Sequence, residues 1–378
     1  QDSDVPVIVA GVSEGGLLAL YSAALDARID AAIVSGYFDQ REKVWEEPIY
    51  RNVWGLLKQH GDAELAAMIA PRRLFIEMAP VIPEVSGPAE ARRNIAAPGV
   101  IRSPNMDSVR REIGRARDML PEAIAGNAIQ VIGAEGAGNV PLQADVLRTC
   151  LEEVCSVELN EAEEHGVLTD RRATFSADKR QHLQVHQMVQ FTQELLRKAH
   201  RVRDARFAQL DRSSAKAFDQ SAQAQRDEIH KELFGRLPTP SIDPNPRSRL
   251  ILDDEKMRGY EIVLDVYEDV IAAGILLLPK ALAPGENRPV VVCQHGLEGV
   301  PMDTISGPES RGYRAYKSFA AELCRRGFIV YSPQNPYRGG DSFRTLQRKS
   351  NVLGRSLFSY IIPQHLVTLR WLSELDSV

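Results

Sequence analysis

The six residues Gly11-Val12-Ser13-Glu14-Gly15-Gly16 constrain the fold more than any other stretch of the chain. Before them stands Val5-Pro6-Val7-Ile8-Val9-Ala10, a short apolar run without alternation, which is the pattern of a strand buried on both faces. After them, residues 17–25 are small and apolar, as suits a helix packed closely on a sheet. Glycine on either side of Ser13 lets strand become helix in little space, because no Cβ stands in the way. The rhythm then repeats. Residues 29–34, 74–76 and 129–132 read as buried strands, and residues 63–69, 107–120 and 143–154 as helices. Residues 80–105, rich in Pro, Gly and Ala, read as a long loop. Strand alternating with helix predicts an α/β fold, a mainly parallel sheet with helices on both faces.

The rest of the chain changes character twice. From Ser176, a plausible N-cap, Val185, Met188, Val189, Leu195 and Leu196 recur at helical spacing to about His200, and a second polar helix is expected over 214–233. Residues 237–246 hold four prolines in ten positions, the composition of a stiff extended linker. Beyond it, residues 249–252, 260–266 and 271–278 read as an antiparallel meander. A buried strand at 289–293, a helix at 316–325, a strand at 328–331 and a helix at 357–372 follow. The expected division is 1–156, a helical connector and linker at 157–246, and 247–378. The outer parts read as complementary halves of one fold. The chain opens on Gln1 almost inside a strand pattern and closes on Val378 after an amphipathic stretch, so the expectation is a piece of a longer protein, its compartment unknown and export open.

Composition removes several classes of function. Asp and Glu number 51 against 46 Lys and Arg, a net charge of −5, without the basic excess of a nucleic-acid binder. No apolar run reaches the roughly 18 residues that would span a bilayer. The four cysteines, Cys150, Cys155, Cys293 and Cys324, form no CxxC pair and suit neither a disulfide scaffold nor a zinc site; Cys293 and Cys324 lie in apolar runs. His182 and His186 are four apart on the predicted long helix but have no evident third ligand, so they read as solvated helix histidines. No Gly-Lys-Ser/Thr follows the glycines near Ser13, which argues against a phosphate loop. No metal and no cofactor are expected.

Chemistry concentrates at Ser13. The segment fits G-x-S-x-G with a strand before it and a helix after it, which would hold the hydroxyl above the sheet at a helix N-terminus. The dipole and orphan N–H groups there favour an oxyanion, with the Glu14 N–H as one donor. The competing reading is a glycine-rich turn in another doubly wound fold. A second donor is expected from His295-Gly296-Leu297-Glu298-Gly299, directly after the strand 289–293, with His295 a structural turn residue; the bland alternative is a plain strand exit. Activating a serine needs an imidazole and a carboxylate. Glu84 lies beyond the strand 74–76, where an orienting acid would sit, while Glu77 reads as packed at the strand end. The loop 133–140 has no histidine; the next is His165, in Glu163-Glu164-His165-Gly166.

These residues resemble the α/β-hydrolase superfamily, in its acetylxylan-esterase and dienelactone-hydrolase-like branch. The likeness rests on Gly11 to Gly15, on Gly61-Asp-Ala-Glu-Leu65 leading to Ala70-Pro71-Arg72, and on three later segments: Val290-Val-Val-Cys-Gln-His-Gly296, Gly327-Phe-Ile-Val-Tyr-Ser-Pro333 and Arg338-Gly-Gly-Asp341. In that branch the later segments precede the serine; here they follow it. Two arrangements fit: halves of two tandem hydrolase domains, or a circular permutant. The resemblance implies an α/β-hydrolase-type sheet and a serine esterase with Ser13 as nucleophile, an acid for which Glu84 is the candidate, and a histidine base after the last strand. None stands there, so either His165, otherwise a surface-loop histidine, or a residue outside this chain would complete the site. Its oxyanion loops would lie at Glu14 and at His295, Gly296 and Leu297. A small-molecule or carbohydrate ester would be the substrate, and a second hydrolase domain could pair intramolecularly. The missing histidine raises a second reading, a degraded hydrolase that binds or scaffolds. A prolyl-oligopeptidase-type peptidase comes third, without the propeller repeats it would need.

Overall fold

The computed structural model describes residues 5–77, 82–86, 99–133, 140–142, 144–156, 158, 169–172, 174–338, 340 and 342–378. The chain divides into two compact units, residues 1–157 with 231–378, and residues 158–230.

In the first unit, β1 (Ile8–Val12), β2 (Ala31–Ser35), β3 (Arg73–Glu77) and β4 (Ile129–Ile132) form a sheet in that order, each neighbouring pair parallel. The helices between them are α1 (Glu14–Leu25), α2 (Asp62–Ile69), α3 (Met106–Asp118) and α4 (Glu122–Ala128), with α5 (Ala144–Cys155) after β4. The lack of alternation in the strands has its reason in β2, which is buried along its whole length. Ala32 and Val34 pack with Leu20 and Ala23 of α1, Ala66 and Ile69 of α2, and Val109 and Ile113 of α3. Ala31 and Ile33 face the opposite side, with Phe75, Val146 and Cys150. Burying each large side chain on either face contributes about 1.5–3 kcal/mol. The first strand lies further along than its apolar run predicts: Val5 and Val7 are 72% and 48% exposed, and pairing begins at Ile8.

The same unit holds a second sheet, in the order β5 (Arg247–Asp253), β6 (Met257–Tyr267), β7 (Val270–Pro279), β9 (Ile329–Pro333), β8 (Val290–Val292). The first three form the expected meander; β9 pairs antiparallel with β7 and parallel with β8. One face packs on α9 (Phe319–Arg325) through Leu277, Val330, Ala321 and Cys324. The other packs on α11 (Phe358–Ser373) through Leu264, Ile329, Val367 and Leu372. The single helix expected at 316–325 is two, α8 (Tyr313–Tyr316) and α9, because Lys317 and Ser318 both take left-handed backbone, each with φ 53°. The proline stretch is stitched to β6: the Pro238 carbonyl accepts the Tyr267 hydroxyl at 2.7 Å, and the Pro244 carbonyl accepts the Asp265 N–H at 2.8 Å.

No ladder joins β1 to β8 among the described residues. The two halves meet through residues 44–58 and α10 (Phe343–Asn351). There the Gly55 N–H donates to the Asn351 carbonyl at 2.8 Å, the Asn52 amide to the Arg348 carbonyl at 3.0 Å, and the Lys349 ammonium lies 4.4 Å from the Trp45 ring centre.

The second unit holds α6 (Ala177–Phe207) and α7 (Ala215–Glu228), capped by Ser176 and Ser214 as helix N-termini require. Helix α7 is shorter than its expected 214–233; a wider-wound turn, Ile229–Phe234, follows it. Among the described residues no helix is long and apolar enough to cross a membrane.

Candidate active site

Ser13 occupies the junction of β1 and α1 with φ 52° and ψ −113°. That is the first central position of a type II′ turn, where glycine is the easy residue and serine is strained. Two backbone bonds hold it there: the Ser13 N–H donates to the Ser35 carbonyl at 2.9 Å, and the Ser13 carbonyl accepts from Leu17 N–H at 3.0 Å. The glycines divide in their purpose. A Cβ on Gly11 would lie 2.1 Å from the Gly15 carbonyl carbon, and one on Gly16 would lie 2.9 Å from the Ser35 carbonyl oxygen. A Cβ on Gly15 would meet nothing within 4 Å. The close approach of α1 to the sheet therefore depends on Gly11 and Gly16.

The Ser13 side chain is nearly buried, and its hydroxyl donates to Glu14 Oε2 at 2.7 Å. The other carboxylate oxygen, Oε1, accepts from the Tyr50 hydroxyl at 2.7 Å and from Arg51. Arg51 also pairs with Glu47 at 3.0 Å, Glu47 with Arg41 at 3.1 Å, and Arg41 with the buried Asp62 at 2.8 Å. Partial burial pushes the Glu14 carboxyl up, but the hydrogen bonds from Ser13 and Tyr50, with the charge and hydrogen bond of Arg51, together bring it down to about 2. Such a carboxylate accepts hydrogen bonds well and takes protons poorly. Among the described residues no histidine ring bonds the Ser13 hydroxyl. A polar cleft of about 520 Å³ opens beside this network, lined in part by Tyr37, Arg41, Arg51, Arg102 and Ser103.

The loop after β8 is built around His295, which is 4% exposed. Its Nε2 accepts the Asn335 N–H at 3.0 Å, which assigns the proton to Nδ1, donating to the Gly296 carbonyl at 2.9 Å. Both ring nitrogens thus serve the turn. The Gly296 N–H donates to the Tyr316 hydroxyl at 2.8 Å, Leu297 is 62% exposed, and Glu298 takes φ 65°. His365 on α11, which the sequence did not single out, has Nε2 3.3 Å from Asn335 Oδ1, and burial lowers its pKa. Tyr316 likewise escaped the sequence reading, because only the fold brings it to a loop twenty residues away.

Glu77 ends β3 with its carboxylate buried, accepting the Ser35 hydroxyl and, at 3.1 Å to each oxygen, the Leu142 N–H. Glu84 accepts the Ser103 N–H at 3.0 Å, beside a bridge between Val85 and Ile101. No hydrogen bond joins Glu84 to Ser13 among the described residues, and His165 lies outside them. His182 and His186 are both exposed on α6, and no cluster of three metal-binding side chains occurs among the described residues.

No family model matches the chain. No curated protein matches it either. Among solved structures it is similar to a protein assigned as an acetyl xylan esterase from Bacteroides fragilis, with 16% identity, TM-score 0.36, and coverage of 47% of this chain and 50% of that one. It is also similar to acetyl xylan esterase 1 from Thermoanaerobacterium, with 14% identity, TM-score 0.28, and coverage of 37% and 43%. The chain thus spans half or less of the length of these structures. The α/β class rests on the sheets themselves and not on these likenesses.

Proposed function

We propose that the chain carries the nucleophile side of a serine-hydrolase site for carboxylic esters, with Ser13 as the nucleophile. One observation supports this most: a non-glycine residue held at φ 52° between a buried strand and a helix N-terminus, where strain persists only when the surroundings impose it. In this reading the Ser13 oxygen attacks the ester carbonyl and its proton passes to an imidazole. The carbonyl oxygen becomes an oxyanion facing the Glu14 N–H. The carbon–oxygen bond to the alcohol then breaks, the imidazole returns the proton to the leaving alcohol, and water later releases the acid by the same route. His165 is the proposed base and Glu84 its orienting acid. A second oxyanion donor would come from the loop at His295, Gly296 and Leu297; the Gly296 N–H becomes available once the Tyr316 hydroxyl turns away. A small-molecule or carbohydrate ester is the proposed substrate.

A specific observation favours a second reading, a degraded hydrolase that binds without turning over: the Ser13 hydroxyl is given to a carboxylate too weakly basic to activate it. Reaction with a fluorophosphonate probe separates the two. Covalent labelling that maps to Ser13 and vanishes in Ser13→Ala is the expected result, with loss of aryl-acetate turnover in His165→Ala. A folded chain that neither labels nor hydrolyses would leave the binding role.

A further inference from the structure

The Ser13–Glu14 contact does more than fill a hydrogen bond. Ser13 has one hydroxyl proton, and it is directed at Glu14 Oε2, 2.7 Å away. While that bond stands, no imidazole can receive the proton. The Glu14 side chain is 43% exposed, and it is tethered on its other side as well. Its second oxygen is held by the Tyr50 hydroxyl at 2.7 Å and by Arg51, whose side chain is 4% exposed and is fixed in turn by Glu47 at 3.0 Å. Tyr50 and Arg51 both belong to one short 3-10 turn, Ile49–Arg51, so a single segment secures the carboxylate from the side opposite the serine.

Resting on the reading of Ser13 as a nucleophile, we propose that the Glu14 side chain is a positioning residue that parks the Ser13 hydroxyl in a resting orientation, and that Tyr50 and Arg51 set how firmly it is parked. The backbone N–H of Glu14 keeps its separate place facing the oxyanion. The side chain takes no proton during reaction; its low proton affinity leaves it a restraint on the nucleophile. Any substrate or neighbour that engages Tyr50 or Arg51 loosens the restraint and releases the hydroxyl to its base.

The test is the rate at which the full chain reacts with a fluorophosphonate, where the Ser13 oxygen bonds phosphorus, fluoride leaves and the proton goes to the base. Glu14→Ala is expected to label roughly tenfold faster or more than the native chain, the scale set by a charge-assisted hydrogen bond. Tyr50→Phe, which does not touch Ser13, is expected to label about threefold faster, less than the Glu14 variants because Arg51 still holds the same carboxylate oxygen. Glu14→Gln keeps the shape of the site and carries the test if the alanine variant fails to fold, which circular dichroism checks; it too is expected to react faster than the native chain. A merely structural role would slow labelling in all three. Native labelling with Glu14 variants no faster than native overturns the parking role and leaves Ser13 as nucleophile. Faster labelling in the Glu14 variants alone overturns the part assigned to Tyr50. No labelling in any folded variant overturns both readings.

Discussion

Glycine is the residue that the backbone at position 13 asks for, and serine stands there. The φ of 52° and ψ of −113° cost an L-residue about 1–3 kcal/mol, a cost glycine escapes at the expense of a more flexible unfolded chain. Ser13→Gly is therefore expected to be more stable than Ser13→Ala by about 1 kcal/mol in urea unfolding, although both lack the hydroxyl and they differ only in the Cβ that clashes at positive φ. Equal stability would mean that the turn is relaxed. At this scale the sequence was half informative. Glycines around a serine announce a cramped turn, because their effect is local. The partners of Glu14 could not be foreseen, since Tyr50 and Arg51 lie 36 and 37 positions along the chain and are brought in by the segment after β2. Glu77 at its strand end is legible from the pattern, while its hold on the Leu142 N–H is not.

Elements were readable where apolar burial wrote a pattern and silent where it did not. Strand β4 falls at Ile129–Ile132, as its apolar run predicts. Helix α10 escaped because its buried residues are Phe343, Arg348 and Ser350, two of them polar, and α4 because it is short, contains Gly126 and buries only Ala128. Helix α6 shows the reverse: its periodicity is clear, yet none of its residues is buried, and Met188, Phe191 and Leu196 are 60%, 67% and 61% exposed. What supports it is the Ser176 cap and ion pairs such as Glu194 with Lys198, worth a few tenths of a kcal/mol each. Helix α3, in contrast, buries Val109, Ile113 and Ala116. Trypsin under native conditions is expected to cut at Arg197, Arg201 or Arg203 well before Arg110, Arg111 or Arg117, because helices without packing open most readily. Mass mapping of the first fragments reads this out, and first cuts within α3 would contradict it.

At the scale of the whole molecule, the apolar pattern makes legible the strands before residue 133 and after residue 246, with helices between them. It did not foretell that residues 237–246 would be bonded along β6, because the Tyr267 hydroxyl and Asp265 N–H that hold them belong to a strand read as ordinary meander. The seam between the two sheets was also invisible, since it depends on Asn52, Gly55 and Arg348, none of which stands out in an apolar pattern. That seam has a thermodynamic consequence. Cooperative melting requires that losing one part expose much apolar surface on the other, and the contacts named at this junction among the described residues are mainly polar: hydrogen bonds and a cation over a ring. Heating should therefore disassemble the halves in separate steps, so that a calorimetric scan gives a total enthalpy larger than the van't Hoff value of any single transition; agreement between the two would mean that the halves are coupled through something stronger than the contacts at Glu47, Asn52 and Trp45.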